Sequence, residues 1–291
     1  MMSISWSLKT ARSGWSISLP NKKILKQDIA QSDRIGLKPK EMKMTEELIN
    51  RAAEIIRASD MTLALTGAGI SVESGIPDFR SADGLWSRYD PSEYATITAF
   101  MDDPEKVWHM LREMEDLVIN ARPNKAHIGM GVLEEMGMLH FIVTQNVDNL
   151  HQAGGAKNVI EYHGNSSTLS CMWCKKTYGA EEKRGEFPPR CGCGKILKPD
   201  VVLFGEAIPE QALLRSFRLA ESAQALMVVG TSAVVYPAAG IPVIAKENGA
   251  KIIEINIERT RLTESLADIF IMGEAGDIIE RLVSAVKRNV A

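Results

Sequence analysis

Apolar residues in this chain come in two rhythms. Short unbroken runs alternate with longer stretches in which an apolar residue returns every three or four positions. The run "MTLALTG", which begins at Met61, reads as a buried strand, as do residues 139–146, 158–164, 224–232, 250–258 and 268–273. Before the first of these, Leu48, Ala52, Ile55 and Ile56 share one helical face within residues 44–60. Thr45 can cap that helix, and Glu46 and Glu47 suit the positive end of its dipole. Further helical spacing marks residues 123–136, 209–222, 237–248 and 276–289. Fully apolar strands alternating with helices of this length predict an α/β fold, a parallel sheet covered on both faces.

Two stretches break the alternation. Residues 81–122 are mostly helical, and residues 171–199 are loop-rich and contain every cysteine. Both read as insertions that build a smaller second unit. The expected layout is a catalytic domain over 44–291, with a doubly wound part in 44–80, 123–165 and 205–291. The helical insertion is 81–122 and the cysteine-bearing insertion 166–204. The first 43 residues carry nine Lys/Arg and three acids, so this segment is +6 against −9 for the remainder. It reads as a disordered tail, or as an upstream extension with the real start at Met44.

Charge and cysteine usage narrow the class. The net charge of −3 gives no reason to expect direct nucleic-acid binding. The apolar runs are too short for a membrane span. Four cysteines confined to one short segment argue against scattered disulfides and for a reducing compartment, taken as the cytoplasm.

The candidate chemistry starts where the first strand ends. In "LTGAGISVESGIPDFRS", Gly67, Ala68 and Gly69 let backbone amides approach a pyrophosphate closely. The usual G-x-G-x-x-G would place its third glycine at position 72, which is Val72 here, and the ribose-binding acid about 20 residues on falls inside the helical insertion. An ordinary tight turn is the competing reading. Cys171 and Cys174 form a C-x₂-C pair, and Cys191 and Cys193 a C-x-C pair sixteen residues later. That spacing fits a closed tetrahedral zinc site, structural because four thiolates leave no open position, with Gly192 and Gly194 easing the tighter turn; four unligated thiols or a redox pair is the competing reading. Gln145, Asn146 and Asp148 follow a strand's carboxyl end, where ligands of open α/β sheets bind, though Asn and Asp are also common turn residues. His163 closes a strand and has the chemistry of a general base. The other four histidines have no comparable context.

Taken together, "GAGISVESGIPDFRS", "TQNVDNLHQAGG", "EYHGN", the four cysteines, "VVLFGE", "VVGTSAVVYPAA" and "IEINIE" resemble the sirtuins, the NAD-dependent protein lysine deacylases. The resemblance runs from about Met44 to the C-terminus. It implies a Rossmann-like sheet with a smaller helical and zinc-binding unit, and NAD as co-substrate with one structural Zn²⁺. Gly67, Ala68, Gly69 and Val72 would then line the pyrophosphate loop, with Phe79 and Arg80 folding over the nicotinamide ribose. Gln145, Asn146, Val147 and Asp148 would line the ribose and nicotinamide pockets, Asn146 with a catalytic part and Asp148 binding the carboxamide. Gly230, Thr231 and Ser232 would hold the adenosine half, Asn256 and Glu258 its ribose, and Ala275 the adenine. Val202, Leu203, Phe204, Gly205 and Glu206 would form a strand that pairs with an acetyl-lysine peptide. The implied reaction releases nicotinamide, then uses His163 as base on the ribose hydroxyls, and yields lysine and O-acetyl-ADP-ribose.

Two departures stand out. The C-x-C pair is shorter than the family's usual spacing. The Tyr-x-x-Arg pair of members that remove succinyl or malonyl groups is replaced by Leu111 and Met114, so neutral acyl groups are expected. Mono-ADP-ribosyl transfer and a non-catalytic, NAD-sensing zinc ribbon remain the alternative readings.

Overall fold

A computed structural model describes residues 39–79, 81 and 84–288. Arg80, most of the expected N-terminal tail (1–38) and the expected end of the last helix at Asn289 lie outside the described residues. The described residues from 44 to 288 belong to one compact unit.

Among the described residues nine strands occur in chain order: β1 Thr62–Thr66, β2 Phe141–Thr144, β3 Val159–Glu161, β4 Gly164–Ser170, β5 Thr177–Gly179, β6 Lys198–Val201, β7 Ala225–Val229, β8 Lys251–Asn256 and β9 Ile269–Met272. Six of them make one sheet in the order β3-β2-β1-β7-β8-β9, and every pairing in it is parallel. All five residues of β1 and of β7 are buried, as expected for central strands covered on both sides. One face carries the helices Pro39–Arg57, Lys125–Glu135 and Ala275–Lys287, whose Ile49, Ile56, Met130, Ile279 and Leu282 pack on the sheet. The other face carries Glu210–Ser222 and Gly240–Glu247. Each fully buried Ile or Leu contributes about 1.5–3 kcal/mol, so these two layers supply most of the drive to fold.

The chain winds outward from β1 in one direction, then returns to β7 and winds outward in the other. The reversal lies between β1 and β7, and the loops leaving their carboxyl ends diverge there to open a crevice.

The two insertions share a core of their own. Phe100, Val107 and Trp108 from the helices pack on Leu169, Leu197 and Leu203 from the cysteine-bearing part. The indole Nε1 of Trp108 donates to Leu197 O at 2.8 Å. This smaller unit holds an antiparallel sheet in the order β5-β4-β6.

Three expectations shift in detail. The first helix begins at Pro39 rather than at Met44. The strand expected over 158–164 ends at Glu161, and Gly164 already starts β4 of the other sheet, so His163 sits in the crossover between the two sheets. Gly164 has φ +73°, and a Cβ there would lie 1.9 Å from Asp200 O, so a side chain cannot be accommodated where the two strands cross. The expected strand Val202–Glu206 is not one: β6 stops at Val201, and only Phe204 makes a bridge, to Thr96. Among the described residues no helix is long and apolar enough to cross a membrane.

Candidate active site

The crevice is built first by close backbone approach. Gly67 N donates to Val229 O at 3.2 Å, and Gly69 N to Gly230 O at 2.8 Å. A Cβ on Gly69 would stand 2.8 Å from Gly230 O, and one on Gly230 would stand 2.3 Å from Ile70 N in a left-handed backbone (φ +59°). The loops after β1 and β7 therefore approach this closely at their bases only because Gly67, Gly69 and Gly230 carry no side chain. Beyond Gly67 the chain enters a 3₁₀ turn over Ala68–Ser74, closed by Gly75 at φ +87°. A dinucleotide-binding α-helix needs its third glycine to pack close to a strand. No such helix begins here, and Val72 stands half-exposed on the cavity wall instead.

The crevice opens into a cavity of about 950 Å³ that runs on between the sheet and the smaller unit. Gly67, Ala68, Gly69, Val72 and Phe79 line it from the β1 side. Gln145, Asn146, Val147, Asp148 and His163 line its floor. Gly230, Thr231, Ser232, Asn256, Glu258 and Ala275 line the β7–β8 side, and Val202, Leu203, Phe204, Gly205 and Glu206 the far wall. Residues expected on sequence grounds to bind one ligand pair thus converge on one cavity from seven separate chain segments.

Its polar floor is tied together. Gln145 Nε2 donates to Thr231 Oγ1 at 3.0 Å and Asn146 Nδ2 to Gly67 O and Ser71 Oγ, both at 3.1 Å. Ser71 Oγ donates to Asp148 Oδ2 at 2.7 Å, and Leu150 N to Asp148 Oδ1 at 2.9 Å. Asn149 takes a left-handed backbone (φ 59°) to let this loop turn into the next helix. On the β8 side, Asn256 Nδ2 donates to Thr231 O at 3.2 Å, and Gly276 N donates to Glu73 Oε2 at 2.6 Å.

Sequence reasoning missed the layer below. His127 and His151 are fully buried, with ring centroids 5.0 Å apart. His127 Nε2 lies 3.4 Å from Ser71 Oγ, and His151 Nε2 2.9 Å from Thr66 Oγ1. Burial pushes His127 down to about 4, against the pull of Asp148, and pushes His151 down to about 3. Both rings are therefore neutral at neutral pH. Asn124 and His127 form a capping box at the start of Lys125–Glu135, with His in the place usually taken by Glu or Gln. That box was the local signal for His127; His151 had none.

His163 is differently placed. Its Nδ1 is 3.0 Å from Gln145 O. A carbonyl can only accept, so Nδ1 carries the proton and Nε2 of the neutral ring holds a lone pair. Burial lowers its pKa, and the Gln145 bond opposes part of that shift. His163 is thus a neutral base at neutral pH with its tautomer fixed from the backbone.

The wall facing the smaller unit is apolar. Leu111, Met114 and Val118 from the helix Pro104–Asn120 line it beside Trp86, which stacks on Phe79 at 5.1 Å. Glu115 is the carboxylate on this helix that lines the cavity, and it pairs with Arg112 at 3.1 Å.

The four cysteine sulfurs lie within 4.8 Å of one another. Cys171 Sγ is 3.6 Å from Cys193 Sγ, and Cys174 Sγ is 3.4 Å from Cys191 Sγ. A tetrahedral ion with bonds of about 2.3 Å needs sulfur–sulfur edges of about 3.8 Å, so the cluster is arranged for zinc despite the short C-x-C pair. The two tight turns use Gly194 (φ +86°) and Lys175 (φ +63°), and Gly192 is not left-handed. Tyr178 Oη lies 3.3 Å from Cys191 Sγ and accepts from Gly192 N at 3.1 Å, which braces the shorter pair.

Fold and site together define a dinucleotide-crevice α/β protein with a thiolate-bearing second unit. The Sir2 family model matches residues 67–237. An NAD-dependent protein deacylase of Pyrococcus furiosus is 46% identical over 248 residues, which cover 83% of this chain and 99% of that protein. The solved complex of a Sir2 homologue with NAD superimposes with a TM-score of 0.77 at 44% identity, covering 83% of this chain and 94% of that one. A Sir2 variant solved with a deacetylated p53 peptide and 3′-O-acetyl-ADP-ribose gives a TM-score of 0.76 at 33% identity, over 80% and 96% of the two chains. The chain belongs to the Sir2 family.

Proposed function

We propose that this protein is an NAD-dependent protein lysine deacetylase that converts an acetyl-lysine peptide and NAD to the free lysine, nicotinamide and O-acetyl-ADP-ribose. One observation carries the reading. A neutral, tautomer-fixed His163 and a glycine-lined dinucleotide crevice open into the same cavity. A sensor that only holds NAD has no use for that base.

NAD, when bound, supplies the glycosidic bond whose cleavage drives acyl transfer. The chain's own residues do the rest. Gly67, Ala68 and Gly69, with Gly230, Thr231 and Ser232, form the pyrophosphate and adenosine cradle, and Asn256, Glu258 and Ala275 bound its far end. Asp148, held by Ser71 and the Leu150 amide, presents a fixed carboxylate edge to the nicotinamide carboxamide. Asn146 is fixed by Gly67 O and Ser71 on the ribose side, next to Gln145 and Val147. His163 accepts a ribose hydroxyl proton at Nε2. Phe79 covers the nicotinamide ribose, and Val202–Glu206 receives the acyl-lysine peptide. The four cysteines hold one structural Zn²⁺ that braces the smaller unit. Their service as metal ligands rather than disulfides fits a cytoplasmic enzyme.

Mass spectrometry of the purified protein with an acetyl-lysine peptide, with and without NAD, tests the reading. Loss of the acetyl group only with NAD, together with O-acetyl-ADP-ribose, is the expected result. Protein-linked ADP-ribose without deacetylation would replace it with mono-ADP-ribosyl transfer, and intact NAD would refute both.

A further inference from the structure

Lys198 is 7% exposed, an unusual place for an ammonium group. Its three donors all find acceptors: Pro199 O at 2.9 Å, Val201 O at 2.7 Å and Glu206 Oε2 at 3.0 Å. The same Glu206 oxygen accepts from Leu203 N at 2.8 Å, while Glu206 N donates to Leu203 O at 3.0 Å. Lys198, Leu203 and Glu206 thus close a ring of bonds across a turn that Gly205 makes at φ +88°. The outside of the turn is fixed as well. Val202 N donates to His163 O at 2.8 Å, Phe204 N to Ala95 O at 2.8 Å, and Ile97 N to Phe204 O at 3.0 Å. The segment is pinned to the turn bearing the base, to the helical insertion and to a cation beneath it.

We propose that the Lys198–Glu206 pair is a positioning device for the acyl-lysine peptide. It fixes the turn Leu203–Glu206 on the cavity wall in the shape against which the peptide lies, in place of the regular strand this segment does not form. Glu206 then acts inward, on Lys198 and on the Leu203 amide, rather than as a direct contact to the peptide. Removing Glu206 leaves the buried Lys198 ammonium with two carbonyls and no counter-charge and takes the acceptor from the Leu203 amide, and removing Lys198 takes away the cation that holds the partly exposed Glu206 carboxylate inward, so either change loosens the turn. The nucleotide crevice hangs on the carboxyl ends of β1, β2, β7 and β8, none of which Lys198 or Glu206 touches, so the damage falls on peptide binding and spares NAD. The inference rests on the deacetylase reading for the identity of the peptide.

The test uses the full, zinc-loaded chain with an acetyl-lysine peptide. Peptide Kd by calorimetry, both KM values, kcat and the melting temperature are measured for wild type, Glu206→Gln, Lys198→Met, the double variant and Lys198→Arg. Glu206→Gln, close to isosteric, should raise the peptide Kd and KM about tenfold or more while the KM for NAD stays within about twofold. The double variant should be no worse than the worse single, and Lys198→Arg should recover most of the affinity. A folded, zinc-loaded Glu206→Gln protein with wild-type peptide affinity overturns the proposal, as does equal loss toward both substrates. If Lys198→Met fails to fold, Glu206→Gln decides alone. Wild-type protein that binds the peptide without turning it over would sink the deacetylase reading and leave this one to be read from Kd; wild type that does not bind it overturns both.

Discussion

The two buried histidines that meet edge-to-face beneath the cleft make the protein acid-labile above the carboxylate range. In the unfolded chain each titrates near about 6.5. In the fold, burial holds His127 near about 4 and His151 near about 3. Above pH 6.5 both states are neutral and nothing is lost. As pH falls below 6.5 the unfolded chain takes up protons that the native state refuses, so stability declines until the folded values are reached. At about pH 5 the unfolded residues are protonated about 1.5 pH units past their midpoint, which costs ~2 kcal/mol per histidine and ~4 kcal/mol together. Both native values lie about a unit or more below that pH, so the result depends on the unfolded value alone. Burial lowers His163 too, and adds in the same direction. Carboxylates held low in the fold, such as Asp268 and Glu113, give up their contribution mainly at lower pH. A loss of ~4 kcal/mol is a large share of the net stability of a typical domain. Urea unfolding at about pH 7.5 and about pH 5 measures it, and His151→Gln isolates one histidine while leaving Thr66 an amide partner. The variant's stability difference between the two pH values should be smaller than wild type's by ~2 kcal/mol, whatever its absolute stability. Zinc loss in acid would affect both proteins and cancel. An unchanged difference in His151→Gln would refute the reasoning.

His163→Ala should lower kcat by about a thousandfold while NAD affinity by calorimetry changes little, and the wild-type acid limb of kcat should fall below pH 6.5, where His163 takes up its proton; an acid limb centred above pH 7 would count against that base. Competition between acetyl- and succinyl-lysine peptides should favour acetyl by about tenfold or more, since Leu111 and Met114 offer a carboxylate no cation and Arg112 is already paired with Glu115; equal turnover would remove the argument. Gly230→Ala forces a left-handed alanine into Ile70 N and should raise the KM for NAD about tenfold or more, with a lower melting temperature. Elemental analysis should find one zinc per chain, and chelation should expose the buried Cys171 and Cys191 to thiol reagents and lower the melting temperature.

Much of the site was legible locally. Gly67-Ala68-Gly69, the cysteine pairs and the polar residues after β2 carry their chemistry in residue type and spacing, and the alternation of apolar runs with helical stretches gave the parallel sheet. Local pattern failed where the governing contact lay far away along the chain. The 158–164 run looked like one strand, yet Tyr162 and His163 leave the large sheet because Gly164 must pass under Asp200. Val202–Glu206 looked like a strand, but its amides bond to His163, Ala95 and Glu206 rather than to a ladder. His127 and His151 looked ordinary because burial, not sequence, makes them neutral. The sequence by itself determined which residues could contact phosphate, metal or a proton, because backbone freedom, thiolates and imidazoles are properties of single residues. Only the tertiary structure decided which of them face one cavity, which histidine keeps a lone pair there and which lysine is buried, because desolvation and long-range hydrogen bonds exist only once distant segments are packed together.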